Sequence, residues 1–338
     1  MSIPKEQKAI IAPAQYSDPV IQTIDVRAPG ANEVLIRVEA ASLSPADVRI
    51  KDFGPPYVQY PALLGTESAG VVIPVSSQYG GFQKYAIAPA GMVLKVPDSI
   101  NFDQASTILG GLATALVGFF GDYTPDSPYG RSGAGLTHFW TNEGKNKYDN
   151  QPVLILGGAS SVGQYAIQIA RLAGFSPIIT TASLHNAPLL KSLGSTHVID
   201  RTLPHDQIIS EIGKIVPESL QVIYDAVSVT ETQNVGYELL APGGTLILVL
   251  RPVLDSEKAK TENKKVVFTY GWLHMPPCGQ WGMDLLHEKI PEWLKNGDIK
   301  PNNVEVIPGG LNGVLVGLER LKNNQVSGKK LVVRPQET

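Results

Sequence analysis

The stretch VLILGGASSVGQYAIQI, residues 153–169, decides how this chain folds. An apolar run leads into a glycine-serine turn, and apolar residues at helical spacing follow: strand, tight turn, helix. The alternation continues downstream. Strands are expected at VLILGG (153–158), PIITTAS (177–183), HVID (197–200), QVIYDAV (221–227), GTLILVL (244–250) and VVFTYG (266–271). Between them lie helical patterns at SVGQYAIQIARLAG (161–174), NAPLLKSLG (186–194) and TETQNVGYELLAPGG (230–244). Short β-branched runs that lack polar alternation are strands covered on both faces, which means a parallel sheet with helices packed against it. The fold class is therefore α/β, with a Rossmann-type, doubly wound sheet opened by this turn.

Such a turn brings backbone close to a pyrophosphate at the positive end of a helix. The dinucleotide fingerprint G-x-G-x-x-G finds Gly158 and Gly163 here, with Ser160 at the middle position. Gly158 is expected to allow the tight turn and Gly163 the close helix-strand packing. Ser160, Ser161 and Val162 add backbone and hydroxyl donors. The second strand ends TTASLHNA, without the carboxylate that holds a ribose 2′-hydroxyl in NAD readers. Ser183, His185 and Asn186 can instead meet a 2′-phosphate, with Arg201 after the third strand supplying charge. The expected cofactor is NADPH. Capping of the helix at NAPLLKSLG is the competing role for Ser183 and Asn186, and His185 also reads as a surface residue.

Upstream of this unit the texture differs. EVLIRVEAASL (33–43), AGVVIPV (69–75), FQKYAIAP (82–89) and GMVLKVP (91–97) are short β-like runs broken by Gly and Pro, the pattern of a small β domain. NFDQASTILGGLATALVGFF (101–120) reads as helix, and residues 121–150 as a long Gly-, Pro- and Asn-rich loop. The tail from about 275 returns to mixed texture and is expected to pack on the N-terminal domain.

The net charge of −3 and a pI near 6.1 give no electrostatic reason to expect nucleic acid or an anionic membrane as partner. With Cys278 as the one cysteine, an internal disulfide and a cysteine-rich metal site are both excluded. No apolar run approaches membrane-spanning length, and MSIPKEQKAI carries no secretory core, so the cytoplasm is the expected compartment.

The segments GGASSVG (157–163), LGTESAG (64–70), LSPAD (43–47), GLAT (111–114), LLKSLGSTHVID (189–200), APGGTL (241–246) and VSGKKLVV (326–333) occur in family order over nearly the whole chain. By these the chain resembles the medium-chain dehydrogenase/reductase superfamily, and within it the zinc-free quinone reductase and enoyl reductase branch. The likeness implies a discontinuous GroES-like catalytic domain, 1–115 with 275–338, around a Rossmann NADPH-binding domain, 116–274. It also implies that Thr114 holds the nicotinamide carboxamide and that Ser44 and Asp47 line the cofactor cleft. Tyr57, in DFGPPYVQYP, takes the place of a proton-donating tyrosine, with Tyr60 and solvent as rivals. Lys330 is a further cofactor candidate, for which a solvated turn alongside Lys329 is the alternative.

Zinc-dependent relatives carry Cys where this chain has Ser44 and His where it has Thr66. Hydroxyls are poor Zn²⁺ ligands, and Glu67 alone builds no site, so no metal is expected. Without a Lewis acid, a simple ketone or alcohol is hard to polarise. A C=C bond conjugated to a carbonyl accepts hydride with less help, and so does a quinone. The expected activity is NADPH-dependent reduction of an enone, enoyl group or quinone. The alternatives are a trans-acting enoyl reductase of a polyketide pathway and a crystallin-like cofactor-binding protein with little catalysis. The candidate partners are a small conjugated substrate, a second copy of the chain and a carrier protein. One departure stands out. Relatives carry a β-hairpin and a further strand where AGVVIPVSSQYGGFQKY closes the span between Val72 and Gly80 with very few residues.

Overall fold

A computed structural model describes residues 3–53, 58–73, 80–124, 133–274 and 278–338. The chain forms two compact units, Met1–Leu109 with Pro301–Thr338, and Gly110–Lys300. The helices Gly279–Asp284 and Ile290–Asn296 thus belong to the second unit, and the return to the first begins at Pro301. Among the described residues no helix is long and apolar enough to cross a membrane.

The second unit is built on six parallel strands: Val153–Leu156, Ile178–Ala182, His197–Asp200, Leu220–Asp225, Leu240–Leu248 and Lys265–Phe268. In chain order their spatial sequence is 3-2-1-4-5-6, the doubly wound arrangement. VLIL and IITTA are buried at every position, as strands with helices on both faces must be. Register shows the two coverings. A Cβ at Gly118, in helix Leu109–Phe120, would meet Tyr224 and Ile247, which are paired across the fourth and fifth strands. One at Gly236, in helix Thr230–Leu239, would meet Leu246 and Ile223, the adjacent pair. Neighbouring residues on a strand face opposite ways, so these two helices cover opposite faces. Each fully buried Leu or Ile there contributes about 1.5–3 kcal/mol of hydrophobic stabilisation.

All six expected strands of this sheet are present, with ends shifted by a few residues. The expected single helix over 101–120 is two, Phe102–Ala105 and Leu109–Phe120. The hydroxyls of Ser106 and Thr107 turn back onto the carbonyls of Asp103 and Gln104, and the chain breaks there. Asn101 and Gln104 form a reciprocal capping box at its start.

In the first unit the strand Glu33–Ser42 is the hub, pairing antiparallel with Glu67–Ile73, Tyr85–Pro89 and Lys330–Val333. A three-stranded sheet, with Glu6–Ala12 between Val20–Asp25 and Ala62–Leu63, accompanies it. Ile10, Val38, Leu43, Phe82, Leu311, Leu318 and Leu331 share one core, so the C-terminal segment is integral to this unit.

Candidate functional site

The glycine-serine turn leaves the sheet at its C-terminal edge. Gly157, with φ +77°, takes the left-handed conformation that makes the bend. Its amide donates to Thr181 Oγ1 at 3.0 Å, and that of Gly158 to the Thr181 carbonyl at 3.0 Å, so the second strand holds the turn. Gly158 does not play the part expected of it. Its Cβ would fall 2.1 Å from Thr180 Oγ1 and 3.0 Å from Ile167 Cδ1, which is packing between strand and helix. At Gly163 a Cβ would lie 2.3 Å from the Gly157 carbonyl oxygen, so helix and turn touch there.

Ser160 is the N-cap of the helix Ser161–Leu172. Its Oγ accepts from the Gly163 amide at 3.0 Å and donates to the Ala226 carbonyl at 3.4 Å. A capping hydroxyl therefore stands where the fingerprint has a glycine. The helix opens through Ser161 and Val162, and its first-turn amides carry the positive end of the dipole. Ser161 also lies against helix Leu109–Phe120, since a Cβ at Gly111 would meet its Oγ at 2.9 Å and the Tyr165 ring at 2.7 Å.

A second corner supports the turn and was not singled out from sequence. Val227 packs on Gly157, which has no room for a side chain on that side. Asp225 holds this corner, accepting from the amides of Val227 and Ser228 at 3.0 and 2.7 Å. Burial pushes the Asp225 carboxyl up to about 6. The signal was an acidic residue ending an otherwise apolar strand. Thr181 was also missed, a polar β-branched residue in a buried run.

At the end of the second strand, Ser183 and Arg201 come together: Arg201 Nε donates to Ser183 Oγ at 2.8 Å. His185 and Arg201 are exposed, and Asn186 is buried. Neither Ser183 nor Asn186 makes a side-chain cap bond, so the competing helix-capping role is not what the structure gives them. Asp200, beside Arg201, turns its carboxylate to the amide and hydroxyl of Thr202, which hold it below the usual carboxylate range. Thr114 Oγ1 donates to the Gly110 carbonyl at 2.5 Å, which leaves that hydroxyl able to accept a bond.

The first unit holds a separate polar cluster. Asp47 is fully buried; one oxygen accepts from the Ser44 amide at 2.9 Å and Oγ at 3.2 Å, the other from the Gly65 amide at 3.2 Å. Burial pushes its carboxyl up to about 6, against the pull of these donors and of Lys330. Ser44 Oγ and Thr66 Oγ1 share a hydrogen bond of 3.0 Å. Lys330 is not on a solvated turn. It is 6% exposed, and its ammonium meets Glu67 Oε2 at 2.7 Å, where the Ser42 hydroxyl also donates at 3.0 Å. Lys329, on the exposed side, pairs with Glu305 at 3.6 Å. Tyr57 and residues 74–79 lie outside the described residues. The rival Tyr60 hydroxyl donates to the Ile50 carbonyl at 2.9 Å. Among the described residues no three His, Cys, Asp or Glu side chains form a group that could hold a metal.

Residues 30–79 match the alcohol dehydrogenase GroES-like domain family, and residues 161–264 the zinc-binding dehydrogenase family. A trans-enoyl reductase of Aspergillus flavipes is 30% identical over 383 aligned positions, covering 97% of this chain and 99% of the relative. That alignment is longer than the 338-residue chain, so the relative carries segments this chain lacks. The quinone oxidoreductase of Pseudomonas syringae superposes with a TM-score of 0.74 at 19% identity, covering 96% of this chain and 99% of the other. A mycobacterial structure complexed with NADPH gives 0.74 at 21%, covering 97% and 100%. At such identities these two likenesses establish the fold.

Proposed function

Because the chain belongs to the medium-chain dehydrogenase/reductase superfamily, in its quinone reductase and enoyl reductase branch, we propose that it is an NADPH-dependent, zinc-independent reductase. Its substrate is a C=C bond conjugated to a carbonyl, which gains hydride at the β-carbon and a proton at the α-carbon, or a quinone. The observation that carries this is the likeness to a trans-enoyl reductase along essentially all of both chains.

The residues of the second unit fit a nicotinamide dinucleotide. The turn from Gly157 to Gly163 offers glycine backbone amides and the N-terminus of helix Ser161–Leu172 for the pyrophosphate. Ser183 and Arg201, already bonded to each other, supply a hydroxyl and a fork of donors for a 2′-phosphate, with His185 and Asn186 beside them. Thr114 can accept from a carboxamide. Bound there, the nicotinamide supplies the hydride.

The cluster in the first unit argues against zinc from its donor chemistry. The Ser44 hydroxyl is shared between Asp47 and Thr66, and Glu67 already has a cation in Lys330. Asp47 holds the 44–47 turn and keeps Ser44 in place. Tyr57 or solvent delivers the α-proton. A substrate delivered on a carrier protein is the second reading, favoured by the trans-acting name of the A. flavipes relative. Incubation with NADPH and a panel of enones, enoyl thioesters and quinones tests the proposal. Saturated or hydroquinone product should form in step with loss of NADPH absorbance; cofactor binding without turnover of any acceptor would leave a binding protein.

A further inference from the structure

One buried side chain ties together the loops that leave the fourth and fifth strands of the parallel sheet. Gln233 lies in helix Thr230–Leu239 and is 0% exposed. Its amide nitrogen donates to the Ser228 carbonyl at 2.9 Å and to the Arg251 carbonyl at 3.2 Å. Its Oε1 accepts from the Val253 amide at 2.9 Å. Both N–H bonds and the carbonyl of this side chain are thus spent on backbone outside any helix or strand. A buried polar group satisfied in this way holds its partners firmly, because each lost bond would leave an unpaired group out of reach of water. The side chains of Arg251 and Val253 stay exposed, so the stretch is anchored by its backbone and open on its outer side.

Ser228 completes the tie. With φ +61° it holds the left-handed conformation that favours glycine. Its hydroxyl donates to the Asp225 carbonyl at 2.8 Å and accepts from the Val249 amide at 2.9 Å. Strain of this kind persists where surrounding bonds over-determine the backbone, and it clusters at functional sites. On its other side the same corner meets the glycine-serine turn, where Val227 packs on Gly157 and the Ala226 carbonyl receives the Ser160 hydroxyl. A continuous set of contacts therefore runs from the turn, through 226–228, to 249–253. All of it lies at the carboxyl ends of the strands, where doubly wound sheets take their ligands. The strand order puts the second and third strands on one side of the first, and the fourth and fifth on the other. With the 2′-phosphate at Ser183 and Arg201, a dinucleotide crossing the turn brings its nicotinamide half to the side that Gln233 organises.

We propose that Gln233 is a positioning residue for the nicotinamide half of the cofactor, acting through the loops 226–229 and 249–253 without touching the cofactor itself. The proposal rests on the dinucleotide reading of the second unit. Calorimetric titration with NADPH and with 2′-phospho-ADP-ribose, which lacks the nicotinamide, tests it. Gln233→Met keeps the length of the side chain and removes all three bonds. It should weaken NADPH at least tenfold and leave 2′-phospho-ADP-ribose within twofold, a split that a general loss of structure would not produce. Ser228→Gly keeps the left-handed backbone and removes the bond to the Val249 amide. It should weaken NADPH about threefold, again sparing 2′-phospho-ADP-ribose, and it decides the question should Gln233→Met not fold. Unchanged NADPH affinity, or equal weakening of both ligands, would overturn the positioning role and leave the cofactor reading intact. A wild type that binds neither ligand would overturn both. Turnover is scored separately: a split that depends on Gln233, without reduction of any acceptor, counts against the reductase reading and leaves the positioning role standing.

Discussion

The two units solve opposite problems with the same chain. In the second, the turn from Gly157 to Gly163 works by what is missing, with strand, helix and corner approaching because there is no Cβ at 157, 158 or 163. In the first, the Ser42–Ser44–Asp47–Thr66–Glu67–Lys330 cluster works by what is present, every member bonded to another or to backbone. A site made of absent side chains is intolerant of any addition. A site made of buried polar groups is intolerant of unpaired removal, and tolerates removal in matched pairs.

The sharpest break between them is expected at Gly163. Gly163→Val places a branched side chain against backbone atoms of 157 and 158, which cannot move aside as a side chain could. The second unit should lose its cooperative melting transition, and NADPH binding should vanish. Hydrogen exchange resolved by segment would show it, and unchanged protection of the strand Val153–Leu156 would refute the packing account of the turn.

Next comes Lys330. Lys330→Ala strands the Glu67 carboxylate in a buried position and should cost the first unit about 3 kcal/mol. The double variant Glu67→Gln with Lys330→Met should recover most of that. If the double variant is no more stable than the single in denaturant titration, the pair is not what holds the cluster.

Arg201→Ala should leave both units folded and reduce the preference for NADPH over NADH about tenfold, or 1.4 kcal/mol. Paired titrations with the two cofactors measure this, and an unchanged ratio would return Arg201 to the surface. Ser160→Gly is the smallest effect. Because Ser160 caps its helix, the loss should be only a few tenths of a kcal/mol, with NADPH still bound. A loss of binding tenfold or larger would mean that the hydroxyl meets the cofactor.

The same contrast decides how much could be read from sequence. The six parallel strands announce themselves locally, because a β-branched run such as VLIL or IITTA is its own evidence of burial on both faces. The turn was legible as a whole, but not which glycine does what. Left-handed backbone belongs to Gly157 and packing to Gly158, and only the positions of Thr180 and Ile167 separate the two. The first unit's cluster was legible as a list of residues without its wiring. Lys330 meets Glu67 across 263 positions of sequence, and no local pattern distinguishes that lysine from Lys329, which faces solvent. The break at Ser106 and Thr107 arose likewise from hydroxyls choosing carbonyls in a segment whose apolar periodicity is unbroken.

The central claim is hydride transfer from NADPH to a conjugated acceptor, and isotope placement tests it most directly. With NADPH deuterated at its transferring position and an enone as acceptor, the saturated product should carry one deuterium at the β-carbon. With ordinary NADPH in deuterated water, the label should appear at the α-carbon instead. Label from the cofactor at the carbonyl carbon, giving an allylic alcohol, would contradict the account, as would NADPH that binds and is never consumed by any enone, enoyl thioester or quinone.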